Sequence, residues 1–189
     1  MDSFVEDQTF DKFDFTRSPL KKGDYDHCVF VNCDLASVNL SEIKFVDCVF
    51  TGCNLTMAQV SQTVFRDVMF RDCKMLGLRF DEASAFGLAV RFETCVLDHS
   101  SFYRTKMKKT GFLHCQLKKV DFTSCDLTEA VFDGCDLAEA VFEQTVLEKA
   151  DLRTAFNYAF DPEMNRVRKA RFSLAGVAGL LGKYGVVIE

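Results

Sequence analysis

From Phe15 to Phe80 every fifth residue is large and apolar, and the beat resumes at Phe92 and runs to Leu152. Two places before each beat stands a small or slim residue, such as Cys28, Cys33, Val38, Ala58, Cys125, Ala130 or Ala150, and all nine cysteines fall in this second series. A period of five matches neither an α-helix at 3.6 residues per turn nor a strand at 2. It matches a chain that turns a corner after each pentapeptide, four of which close one square coil. The large residue and the slim one then point inward, and the other three positions face water. Those three positions hold most of the Asp, Glu, Lys, Arg, Ser, Thr and Asn.

A slower beat tests this geometry. Cys33, Cys53, Cys73, Cys95, Cys115 and Cys135 follow one another at 20, 20, 22, 20 and 20 residues. A chain that returns to one spatial column about every twentieth residue is a solenoid. Phe10, Phe30, Phe50, Phe70, Phe92, Phe112 and Phe132 fall on one side of the square, and Phe15, Leu35, Leu55, Met75, Leu97, Leu117 and Leu137 on the next. Coils stacked at the strand spacing of about 4.8 Å give a rod of roughly 35 Å. The two extra residues of the 22-residue step predict a local bulge at 81–91, with Phe86 filling the interrupted slot, and no domain boundary.

Twenty Phe without Trp, and a hydrophobic content of 48%, suit stacked identical slots. The first residues, Met1 to Asp7, lack the basic and apolar regions of a secretory signal. No stretch approaches the ~20 apolar residues of a membrane span. Cysteines confined to core slots act as small hydrophobes, so the expected compartment is the reducing cytoplasm. The Cys-x4-Cys pairs Cys28/Cys33 and Cys48/Cys53 are the repeat itself, and His27, His99 and His114 form no paired motif, so no metal or other cofactor is expected. Parallel side chains in one column misalign sulfurs for disulfides. Asp98-His99-Ser100-Ser101 holds triad residue types, but neighbours in sequence alternate in and out of a coil. There is no Gly-rich phosphate loop, and a filled rod lacks a concave pocket; an enzyme is not expected.

Charge is the one functional signal. Asp121, Asp126, Glu129, Asp133, Asp136, Glu139, Glu143, Glu148 and Asp151 face only Lys149 between 121 and 152. Such a belt either attracts a basic DNA-binding groove at long range or only keeps the rod soluble. Before it, residues 99–120 hold Arg104, Lys106, Lys108, Lys109, Lys118 and Lys119 with no acid. This band either grips an acidic partner, binds nucleic acid weakly, or pairs with the neighbouring acids, and the last is favoured. The net charge of −5 argues against direct DNA binding.

After Leu152 the beat decays, which divides the chain into a repeat region at 1–156 and a C-terminal segment at 157–189. Asp161-Pro162 reads as a turn or helix start, with Asp as cap. Ser173 reads as the N-cap of a helix at about 173–184, stopped by Gly185 and followed by a short strand at Val186-Val187-Ile188. Its apolar stripe, Leu174, Val177, Leu180, Leu181 and Tyr184, either caps the last coil or, as favoured here, forms a homodimer interface.

The rows Cys-Asp-Leu-Thr-Glu (125–129), Ala-Val-Phe-Asp-Gly (130–134), Cys-Asp-Leu-Ala-Glu (135–139) and Ala-Asp-Leu-Arg-Thr (150–154) resemble the pentapeptide repeat family. That resemblance implies an all-β solenoid, a right-handed quadrilateral β-helix. More narrowly, the bulge at 83–91 and the tail at 172–181 are similar to an off-register segment and the C-terminal dimerisation helix of the quinolone-resistance (Qnr) proteins. The two loops that many Qnr proteins project have no counterpart, because residues 50–54 and 102–107 keep the five-residue beat. The resemblance implies a DNA mimic that binds a type II topoisomerase, DNA gyrase or topoisomerase IV, through the acids of 121–151. The consequence would be modulation, inhibition or quinolone resistance. A general protein-interaction or scaffold rod with an unrelated partner is the alternative.

Overall fold

The computed structural model describes residues 3–187, and they wind into a four-sided parallel β-solenoid. The first wall is a nine-stranded sheet: Thr9–Asp11, Val29–Val31, Val49–Thr51, Val68–Arg71, Val90–Glu93, Gly111–Leu113, Val131–Asp133, Asp151–Leu152 and Arg171–Phe172. Its register sets Phe10, Phe30, Phe50, Phe70, Phe92, Phe112 and Phe132 in one column, as the twenty-residue beat requires. The rings lie nearly parallel, 4.4 Å apart for Phe30 and Phe50 and 4.9 Å for Phe112 and Phe132. The second wall is a run of single bridges, from Asp14↔Asp34 through Asn54, Lys74, Val96, Gln116 and Asp136 to Phe156. It carries the Phe15-to-Leu137 column. On the third wall Phe80, Phe102, Phe122 and Phe142 stack in turn. Each buried Phe contributes about 1.5–3 kcal/mol, and each aromatic pair about 0.5–1.5 kcal/mol more. Repeating one side chain per slot therefore holds the coil in register.

Two details of the corners were not legible in the sequence. The residue two places after most centres, such as Asn32, Ser37, Lys119 or Glu129, adopts a positive φ of about +50 to +65°. That conformation costs roughly 1–2 kcal/mol for a residue other than Gly. It lets the corner amide donate to the next coil, as Asn32 N–H does to Thr51 O at 2.8 Å and Lys119 N–H to Ala138 O at 2.9 Å. The slim slot also has a hydrogen-bonding task. The thiols of Cys53, Cys73 and Cys95 donate to the carbonyls of Phe30, Phe50 and Phe70 at 3.3–3.4 Å. Thr63, Ser100 and Thr145 use their hydroxyls the same way at 2.8–2.9 Å. All nine cysteines are free and buried. Burial pushes the Cys48 and Cys125 thiols up to about 12.

The fourth wall breaks at the bulge. Strands Ser3–Glu6, Gly23–Asp26, Lys44–Val46 and Val64–Arg66 form one sheet, and the wall resumes as Lys106↔Asp126↔Val146↔Arg166. Phe86, expected in the interrupted slot, is instead 78% exposed at the bulge tip, 6.0 Å from the Arg66 guanidinium. Leu88 packs against the core in its place. Pairing with the preceding coil sets this choice: Val90 pairs with Val68 and takes the slim slot before Phe92, and Ala89 N–H donates to Phe65 O at 2.9 Å. Gly87, at φ +74°, turns the tip.

Strand pairing continues beyond residue 156, to Leu152↔Phe172. Asp161 caps a 3-10 turn at Pro162–Met164, its carboxylate accepting Glu163 N–H at 2.8 Å. The helix expected at 173–184 is not an α-helix. Ser173 Oγ accepts Gly176 N–H at 3.0 Å, but the segment forms two 3-10 turns, Gly176–Leu180 and Gly182–Tyr184. Gly179 lies against the Tyr158–Ala159 backbone, its carbonyl accepting Phe160 N–H at 3.2 Å, and docking onto the last coil overrides the i→i−4 pattern. Val186 and Val187 form no strand, and Ile188 lies outside the described residues. No helix among the described residues is long and apolar enough to cross a membrane.

Candidate interaction surface

The predicted acids divide by position in the pentapeptide. Asp121, Asp126, Asp136 and Asp151 each precede a buried centre and accept the N–H two residues on, at 2.8–3.2 Å. Asp34 and Asn54 do the same. Asp and Asn recur at this place because a short polar side chain closes the turn. Part of the acidic signal in the sequence is thus backbone chemistry.

Cations compensate most of the rest. Lys108 lies 3.2 Å from Asp126, Lys109 3.8 Å from Glu129, Lys118 3.3 Å from Asp136 and Lys119 3.5 Å from Glu139. Four of the six cations of the basic band, Lys108, Lys109, Lys118 and Lys119, therefore pair upward with the next coil, the reading favoured from sequence. Lys149 also reaches Glu129 at 3.0 Å, Arg153 reaches Asp151 at 2.7 Å and Arg166 reaches Glu148 at 2.7 Å. Burial raises the Asp126 and Asp136 carboxyls, but hydrogen bonds outweigh it: from Thr128 and Lys108 to the first, and from Asn157, Ala138 and Lys118 to the second. Both end below the ordinary range. The Lys149 bond lowers Glu129, and the Arg153 bond lowers Asp151. Among the described residues Asp121, Asp133 and Glu143 have no cation within 4.0 Å. Asp121 and Glu143 share the third wall, where Glu139, Glu143 and Asp161 rim a groove of about 450 Å³ floored by Val141, Phe142 and Phe160.

The repeat region thus places a partly neutralised acidic belt on a filled, four-sided rod. The family pattern described as "Pentapeptide repeat region" matches residues 23–89 and again 86–152. The chain belongs to the pentapeptide repeat family. Among curated proteins, none matches the sequence. Two solved structures of trypsin-treated QnrB1, described as a plasmid-mediated fluoroquinolone resistance protein, share its fold at a TM-score of 0.65 and 14% identity. Each match covers 100% of this chain, and 98% and 100% of the QnrB1 chains.

Elsewhere on the pentapeptide rod, the triad residue types do not converge. Ser100 points inward and donates to Met75 O at 2.9 Å, Asp98 accepts Lys118 N–H at 2.9 Å, and His99 stands exposed at a corner. Sequence reading passed over one cluster. Asp26, His27 and Asp47 bring ligand-type atoms within 4.8 Å of one another, and His27 Nδ1 lies 2.7 Å from Asp26 Oδ1. Stacking of the next coil brings Asp47 beside this neighbouring pair, and the exposed ion pair of Asp26 and His27 accounts for the contact. The predicted dimer residues split in two. Leu180 packs against the core as part of the cap. Leu174, 93% exposed, and Tyr184 stand open to solvent, as do the apolar Val186 and Val187 that follow.

Proposed function

We propose that this pentapeptide repeat protein is a non-enzymatic rod that binds a type II topoisomerase, DNA gyrase being the first candidate, through its acidic belt. The supporting observation is the concentration of nine acids against Lys149 alone at 121–152, with Asp121, Asp133 and Glu143 free of cation partners among the described residues. The fold shared with QnrB1, itself described as a fluoroquinolone resistance protein, directs the reading toward the enzymes those drugs act on. Two copies joined through Leu174, Tyr184, Val186 and Val187 would set two belts either side of a central axis.

Magnitudes limit how far the rod can imitate DNA. A duplex carries one charge per about 1.7 Å, so each coil step of about 4.8 Å needs about three. Residues 121–152 meet that density, whereas residues 99–152 hold nine acids against seven cations, a net of −2. The imitation is confined to the belt. The same neutralisation favours the second reading, a general interaction rod with another partner.

Titrating the purified protein into a gyrase supercoiling assay, with and without a quinolone, tests the first reading. Inhibition or drug protection is expected, weakened at least ten-fold by Asp133→Lys with Glu143→Lys and less dependent on salt. Absence of binding, inhibition and protection would remove the topoisomerase from consideration.

A further inference from the structure

The broken fourth wall leaves a groove that the repeat pattern does not explain. Lys106 bridges forward to Asp126 through its neighbours: Asp126 N–H donates to Thr105 O at 2.9 Å, and Met107 N–H to Asp126 O at 2.8 Å. In a parallel ladder this turns the N–H and C=O of Lys106 toward the preceding coil. That coil is the bulge, and among the described residues it supplies no backbone partner there. The other three walls pass the same level unbroken, at Phe70↔Phe92, Lys74↔Val96 and Arg79↔Ser101. Between bulge and coil lie two adjoining cavities of about 370 and 500 Å³, divided by Leu88. Together they run the width of the wall, from Arg104 to Lys109. Phe80, Ala83, Ala85 and Leu88 line the floor with apolar surface.

The charges at this groove are uncompensated on one side. Arg91, Arg104 and Lys106 are exposed, and none has a carboxylate within 4.0 Å among the described residues. Arg104 lies over the Tyr103 ring at 4.9 Å, so its charge stays available.

We infer that this groove receives an extended acidic segment of a protein partner by strand addition to the open edge at Lys106. An unpaired strand edge is a template for another chain, with main-chain bonds giving affinity and alternate side chains giving specificity. Side chains turned inward would cover Leu88, and those turned outward would meet Arg91, Arg104 and Lys106. An alternation of aliphatic and acidic residues fits both. Nucleic acid fits less well: its phosphates are fixed along the whole backbone and would meet Asp47, Asp67 and Asp81, whereas a peptide strand carries no backbone charge and can turn its acidic side chains to Arg91, Arg104 and Lys106. The groove opens toward the coil before Lys106, on the side away from the acidic belt that begins one rung beyond. It uses none of the belt's acids, so it stands or falls independently of the topoisomerase reading.

The probe is an end-blocked octapeptide alternating Glu and Val, fluorescein-labelled and titrated into the full chain by anisotropy. Saturable binding is expected, weakened at least ten-fold by Arg104→Glu with Lys106→Glu, and at least as much by N-methylating alternate peptide amides. Exchange of the Lys106 amide should slow in the complex. Should the double variant melt earlier than the wild type, Arg91→Glu carries the same comparison. Four results would overturn the inference: no saturable binding, equal binding of a Lys/Val peptide, equal binding of the N-methylated peptide, or tighter binding of a single-stranded oligonucleotide of equal charge.

Discussion

At the residue scale the slim slot demands small volume, and a Cys, Ser or Thr there also aims a donor at the coil below. Cys73 does both, donating to Phe50 O at 3.4 Å while its neighbours Cys53 and Cys95 close the column above and below. Thr63 and Thr145 occupy equivalent slots, so Cys73→Thr should change stability by less than about 1 kcal/mol. Cys73→Leu, which overfills the column, should cost about 1–3 kcal/mol or more. Urea midpoints compare the two, and equal midpoints would refute the volume argument. The same burial should leave the native thiols silent to an aromatic disulfide reagent until the rod unfolds.

The element of interest is the bulge, where two residues beyond the beat had to go somewhere. Counting forward from Phe80 puts Phe86 near the slot. Counting back from Phe92 puts Val90 in the slim position and Gly87 at the slot, but the structure turns Leu88 inside, because the bonds that tie Ala89 to Phe65 and Val68 on the upstream side fix the backbone there. Leu88→Ala should therefore cost about 1–2 kcal/mol, discounted for its partial exposure. Phe86→Ser should stay within about 0.5 kcal/mol. Thermal melts that reverse this order would return Phe86 to the core. The C-terminal turns carry a similar lesson. Helical spacing from Leu174 to Tyr184 was present in the sequence, yet docking against Tyr158 and Phe160 decided the backbone.

Across the whole molecule, coil-to-coil ion pairs and turn-closing carboxylates make stability sensitive to acid. Asp126, Asp136, Glu129 and Asp151 are all held below their ordinary values, so the folded state binds fewer protons than the unfolded chain near pH 4. Their contribution is complete above the unfolded carboxylate range, about pH 4–4.5. It is lost as pH falls through the depressed folded values. A melting temperature level from pH 7 to 5 and falling below about 4 is expected, with the fall reduced in Asp126→Asn. A melting temperature that rises on acidification would contradict it. The exposed apolar residues of the tail predict association at the same scale. Sedimentation should give a particle of twice 21.4 kDa, and Leu174→Glu a monomer. A wild-type monomer at micromolar concentration would leave those residues to another partner.

A five-residue beat can be satisfied by only one kind of backbone path, so the sequence by itself determined the coil, its columns and the inward place of every cysteine. It also located the bulge and the acidic belt, since both are departures from a regular count. Tertiary structure decided what each departure does. Which residue enters the interrupted slot depends on hydrogen bonds to the preceding coil. Which acids keep their charge depends on lysines 18 to 20 residues away, set beside them by stacking. The groove at Lys106 arises because one wall of four loses a rung, and that is a property of coils in contact that no single pentapeptide carries.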